Sequence, residues 1–105
     1  MLDERLRALA HPVRRQLVAA CRDAPQPAGA LVTLTGLAPA SVSEHLKVLR
    51  KCGLLVLEVR GRSWIYTTDR DAVAEVLEGI RPLIEVSPAR GASSSLAARV
   101  RRREA

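Results

Sequence analysis

Between Ala40 and Arg50 the chain gathers side chains suited to polar recognition: Ser41, Ser43, Glu44, His45, Lys47 and Arg50. A serine hydroxyl donates and accepts, a carboxylate only accepts, and lysine and arginine only donate. Presented on one helix, such a set can address the donors and acceptors on base edges in a DNA major groove. Ala40 can touch a thymine methyl, Glu44 can accept from a cytosine amino group, and Lys47 can reach a guanine or a phosphate. His45 lies at the edge of the apolar face and suits a structural or phosphate-contacting role. Further along, Arg60 and Arg62 flank Gly61. Arginines on a thin loop suit a narrow minor groove with its strong negative potential.

The remaining reactive side chains point to little chemistry. Cys21 falls on an apolar-rich segment and Cys52 at a helix exit, so both read as packed thiols. His11 precedes a helix-starting proline and reads as a capping or packing residue. A tight metal site needs three or four converging ligands, which these residues, on separate elements, supply poorly. Asp69, Asp71, Glu75 and Glu78 could hold a hard cation loosely but read more simply as a solvated helix face. There is no nucleophile-base-acid set and no glycine-rich phosphate loop, so neither an enzyme nor a cofactor is expected.

The elements that must carry these residues follow from composition and periodicity. The chain has 105 residues, 48% hydrophobic and 27% charged, which predicts one soluble globular domain. With one Trp, one Tyr and no Phe, Leu, Val, Ile and Ala must build the core, which favours packed helices. No apolar run approaches the ~18 residues of a membrane span. The opening Met-Leu-Asp-Glu lacks the pattern of a secretory signal, and two cysteines make no disulfide framework, so a cytoplasmic location is expected. The net charge is +6, and residues 87–105, with five arginines and one acid, supply four of those charges. A small basic domain suggests a polyanionic partner.

Leu2, Leu6 and Leu9 mark a short amphipathic helix. Pro12 opens a second, running to about Cys21. Asp23 to Gly29 reads as a break, Ala28 to Thr35 as a short third helix, and Gly36 as a sharp turn. Pro39 can start a fourth helix, with Val42, Leu46 and Leu49 on one face and the polar set opposite. Gly53 can end it. Leu55, Leu57 and Val59 alternate as a strand; Arg60-Gly61-Arg62 turns; Ser63 to Thr67 returns with Trp64 and Tyr66 on one side. Asp69 can cap a fifth helix, striped by Val73, Val76, Leu77, Ile80 and Ile84, which Pro82 should kink or stop. The expected fold is mainly α with a β-hairpin wing, a winged helix-turn-helix ordered α-α-α-α-β-β-α over residues 1–86. Residues 87–105 are expected to be a flexible basic tail.

Leu9-Ala10-His11-Pro12-Val13-Arg14 resembles the L-A-(D/H)-P-x-R opening of the ArsR/SmtB family of bacterial regulators. Leu31 to Leu37 is similar to its L-A-x-x-T-G-L segment, with Val32 at the Ala position. Val42 to Leu55 resembles its V-S-x-H-L-x-x-L-x-x-x-G-L-V recognition helix and exit, and Arg60-Gly61-Arg62 with Trp64 and Tyr66 its G-R-x-x-x-Y wing. The resemblance implies a homodimeric winged-helix transcription factor paired through its first and last helices, here Leu2, Leu6, Leu9, Val73, Val76, Leu77 and Ile80. It implies DNA contacts from Ala40, Ser41, Ser43, Glu44, His45, Lys47, Arg50, Arg60 and Arg62. Departures bear on the signal. The family's Cys-x-Cys metal positions correspond to Pro27 and Gly29, and residues 69–86 contain no His for its last-helix site. The expectation is a regulator of an inverted-repeat operator without an intrinsic metal site. Its signal would come from a partner protein or a small ligand near the dimer seam or the tail. The alternatives are a metal-responsive regulator with an unusual His/Cys site and a winged-helix protein-binding scaffold.

Overall fold

The structure, a computed structural model, describes residues 1–86; the expected tail, residues 87–105, lies outside the described residues. Helices α1 (Leu2–Leu9) and α2 (Pro12–Asp23) lead to a short strand β1 (Gln26–Pro27). Helices α3 (Ala28–Thr35) and α4 (Pro39–Lys51) follow, then strands β2 (Leu55–Arg60) and β3 (Ser63–Thr68) and helix α5 (Arg70–Ile80). No helix among the described residues is long and apolar enough to cross a membrane.

Prolines and glycines set the boundaries. Pro12 and Pro39 each open a helix, where a missing N–H costs nothing. His11 precedes the first of these in extended backbone and makes no side-chain bond to the helix end. It therefore does not cap α2. The α3–α4 turn passes through Gly36 at φ +68°, a left-handed conformation that glycine adopts without strain. Gly61, at φ +60°, does the same at the hairpin tip. Asp69 caps α5 by accepting from Ala72 N–H at 3.1 Å. At the far end Pro82 lacks the donor that would continue α5, and the chain tightens into a 3-10 turn at Arg81–Leu83. Helix α2 runs two residues beyond the expected Cys21, to Asp23.

The core lies where α2, α3, α4 and the sheet meet. Leu17, Leu31, Leu49 and Leu54 are fully buried, with Val42, Leu46, Leu55, Tyr66 and Val76 closing around them. Each such side chain contributes about 1.5–3 kcal/mol through loss of apolar surface to water. Cys21 and Cys52 belong to the same cluster and are free thiols. Two polar ties brace the hairpin: Thr68 Oγ1 donates to Val18 O at 2.6 Å, and Asp69 N–H donates to Leu54 O at 3.0 Å. Arg5 ties α1 to both α4 and α5. Its Nε donates to Cys52 O at 2.9 Å and its Nη1 pairs with Glu75 at 2.6 Å.

Two expectations change. The segment read as a plain break contributes the edge strand β1, antiparallel to β3 with Gln26 opposite Tyr66 and Pro27 opposite Ile65. The sheet is thus three-stranded, ordered β1-β3-β2. Pro27 fits an edge, where a missing ladder donor is tolerated. The apolar stripe assigned to a partner is also divided. Val76 is buried in the chain's own core, and Leu2, Leu9 and Val73 pack against that core. Leu6 and Leu77 are exposed, at 36% and 57%. Ile80 is half-buried. A short α5 lies on its own domain first, and only its outer flank is left for another molecule.

Candidate nucleic-acid interface

Helix α4 buries Val42, Leu46 and Leu49 and turns its other flank to solvent. That division makes the interface: the apolar positions anchor the helix, and Ala40, Ser41, Ser43, Glu44, Lys47 and Arg50 are left exposed. The exposed residues fall into two concavities. On the wing side, Ser43, Glu44, Lys47 and Arg50 share a cleft of about 520 Å³ with Arg62, Ser63 and Trp64. The cleft joins the helix that can read base edges to the hairpin that can enter a neighbouring groove. On the other side, Ala40, Ser41, Glu44 and His45 line a shallower depression with Arg14 of α2. Glu44 belongs to both and is the acidic group beside the cations of each.

The wing arginines are not equivalent. Arg60 donates from Nε and Nη2 to the two Glu58 carboxylate oxygens at 3.0 and 3.1 Å. The pairing holds the Glu58 carboxyl below the usual carboxylate range. Arg60, expected to contact DNA, is thus paired within its own strand, in an exposed ion pair near the hairpin tip. Arg62 takes part in none of the ion pairs among the described residues and opens onto the cleft.

His45 is half-buried between α4 and α2. Arg14 Nε donates to its Nδ1 at 3.1 Å, and the His11 ring lies with its centroid 6.3 Å away. Burial, reinforced by the Arg14 charge and by His11, holds the imidazole below its ordinary pKa. Arg14 carried no signal in the sequence beyond its place in the opening motif. Trp64 was visible as a strand residue, but its 53% exposure at the cleft was not.

The metal-binding alternative meets a sparse ligand set. Among the described residues no group of three or more His, Cys, Asp and Glu side chains converges. Pro27 and Gly29 offer no side-chain donor. On α5, Glu75 is held by Arg5, Glu78 by Arg81 and Asp69 by the helix end. The two metal positions named from the resemblance, Pro27 with Gly29 and the last helix, thus lack the Cys and His side chains those sites use.

A helix-turn-helix domain family matches residues 9–58. The HTH-type transcriptional regulator NmtR of Mycobacterium tuberculosis is 37% identical over 73 residues, covering 70% of this chain and 61% of the relative. The chain spans about three fifths of the length of the curated relatives it matches. Among solved structures, an ArsR-like transcriptional regulator from Rhodococcus superposes with a TM-score of 0.71 at 22% identity, covering 92% of this chain and 87% of that one. The homodimeric winged helix-turn-helix DNA-binding domain of a possible ArsR-family regulator from Mycobacterium bovis superposes at 0.63 with 24% identity, covering 78% and 79%.

Proposed function

Because the chain belongs to the ArsR/SmtB family of winged helix-turn-helix regulators, we propose that it is a transcriptional regulator that binds an inverted-repeat operator as a homodimer. The observation that carries this reading is the wing-side cleft, where Ser43, Lys47 and Arg50 of α4 meet Arg62 and Trp64 of the wing. In this reading α4 enters the major groove, α3 braces against the backbone, and Arg62 reaches the adjacent minor groove. The homodimer is supported by the homodimeric relative. It is further supported by the apolar flank left exposed at Leu6, Leu77, Leu83 and Ile84. The protein acts where the chromosome is, in the cytoplasm, and its chemistry is binding rather than catalysis. The signal reaches it through a partner protein or a small ligand near the dimer seam or the tail, a reading supported by Pro27 and Gly29 at the family's Cys-x-Cys positions and by the lack of His in residues 69–86.

Selection of bound sequences from a random DNA pool tests the reading. A palindrome is expected, with half-site centres about 10 bp apart or a multiple of that. Affinity should fall steeply with salt as Lys and Arg displace counterions. A pool without a palindrome, or salt-insensitive binding, would count against it.

A further inference from the structure

The depression on the far flank of α4 is lined from α2 and α4 alone: Arg14 on one side, and Ala40, Ser41, Glu44, His45 and Val48 on the other. Its bond pattern is unusual. An arginine Nε always carries hydrogen, so the 3.1 Å contact to His45 Nδ1 requires that nitrogen to be the acceptor. His45 is therefore neutral, with its proton on Nε2. Arg14 keeps its two terminal amino groups for another partner. The His11 ring stands at 6.3 Å, and no ion pair among the described residues includes Arg14, His11 or His45. The carboxylate of Glu44 lines the depression but does not pair with Arg14. Arg14 and His45 thus face one concavity beside the reading helix, with the His11 ring 6.3 Å from that of His45.

We infer that Arg14 and His45 form a receptor for a backbone phosphate of bound DNA, and that filling it draws a proton onto His45. The inference rests on the DNA-binding reading and deepens it. A phosphate offers the guanidinium a charge-assisted, bidentate partner stronger than a neutral imidazole. As Arg14 turns to it, His45 Nδ1 is released and takes a proton from the buffer, and the imidazolium stands beside the anion. In the free protein the neighbouring cation and burial oppose that charge; in the complex the phosphate favours it. Linkage is reciprocal: if the phosphate raises proton affinity, protons raise phosphate affinity. Binding should therefore strengthen as pH falls through the range where histidine titrates.

The wild-type protein provides the direct test. The histidine ring C–H resonances are followed against pH, free and saturated with selected operator DNA. The His45 midpoint is expected to rise by at least about one unit on binding, and operator affinity to rise about tenfold from pH 8 to pH 6. The variant His45→Asn keeps an amide oxygen for Arg14 but loses the ring that takes the proton, and the pH dependence of its affinity should be largely lost. Arg14→Gln should weaken all sequences alike and lower the salt slope by about one per protomer. DNA that binds without moving the His45 midpoint, or an unchanged salt slope in Arg14→Gln, overturns this receptor while leaving DNA binding intact. A protein that binds no DNA removes the DNA-binding reading itself.

Discussion

Ser43 and Lys47 stand on the flank of α4 beside the wing, whereas Arg62 enters the same cleft from the hairpin tip. These positions predict different losses. Ser43→Ala or Lys47→Ala should shift which operator positions are preferred, at about 1–3 kcal/mol where a base contact goes. Arg62→Ala should weaken all sequences in similar proportion, with a salt slope lower by about one. Arg60→Ala should cost clearly less than Arg62→Ala, because Glu58 already occupies that guanidinium. Pool selection with each variant separates the cases. Cys21 shows the residue scale in the core. Burial pushes its thiol from an ordinary value of 9.0 up to about 11, so folding favours the neutral form. The resulting stabilisation, about 3 kcal/mol at most, is complete below that ordinary value and is lost as pH climbs through the folded one. Urea unfolding between pH 8 and pH 11 should show a steeper alkaline loss for wild type than for Cys21→Ala.

At the scale of elements, the caps and ties are what hold the reading helix and wing in register. Asp69 joins β3 to α5: its side chain accepts from Ala72 N–H, its carbonyl accepts from Val73 N–H, and its own N–H donates to Leu54 O. Asp69→Ala removes only the first and should cost about 1 kcal/mol, while Asp69→Asn should cost little. Thermal unfolding of the two variants checks this. The same scale shows where periodicity was informative. Val42, Leu46 and Leu49 gave α4 an unambiguous buried face, and the alternation of Leu55, Leu57 and Val59 gave β2. Strand β1 has two residues, one of them proline, and so has neither alternation nor propensity to mark it. It exists because β3 presents a free edge beside Gln26 and Pro27.

For the whole molecule, the divided apolar stripe of α5 separates assembly from stability. Leu77 is 57% exposed and Val76 is 5% exposed, one residue apart on the same helix. Leu77→Glu would place an unpaired charge in the proposed seam. Sedimentation should show a monomer with operator affinity largely lost, since one half-site supplies only part of the binding energy. Val76→Ala should instead lower unfolding stability by about 1–3 kcal/mol through a core cavity, with the dimer retained. A dimeric Leu77→Glu protein would move the interface elsewhere on the surface.

Residue types and spacing alone determined the order of the five helices and the hairpin, the helix-opening roles of Pro12 and Pro39, the cap at Asp69, the polar face of α4 and the wing. Each is a local matter, decided by backbone sterics or by a periodicity of a few residues. Tertiary structure alone decided what depends on residues distant along the chain. Arg14 meets His45 across 31 positions and Thr68 reaches Val18 across 50. Val76 is withdrawn into the core while Leu77 is not. Arg60 and Arg62 were indistinguishable in the sequence, as two arginines around a glycine. They part company because the β2 backbone holds Glu58 where it grips the first, and the hairpin turns the second toward α4.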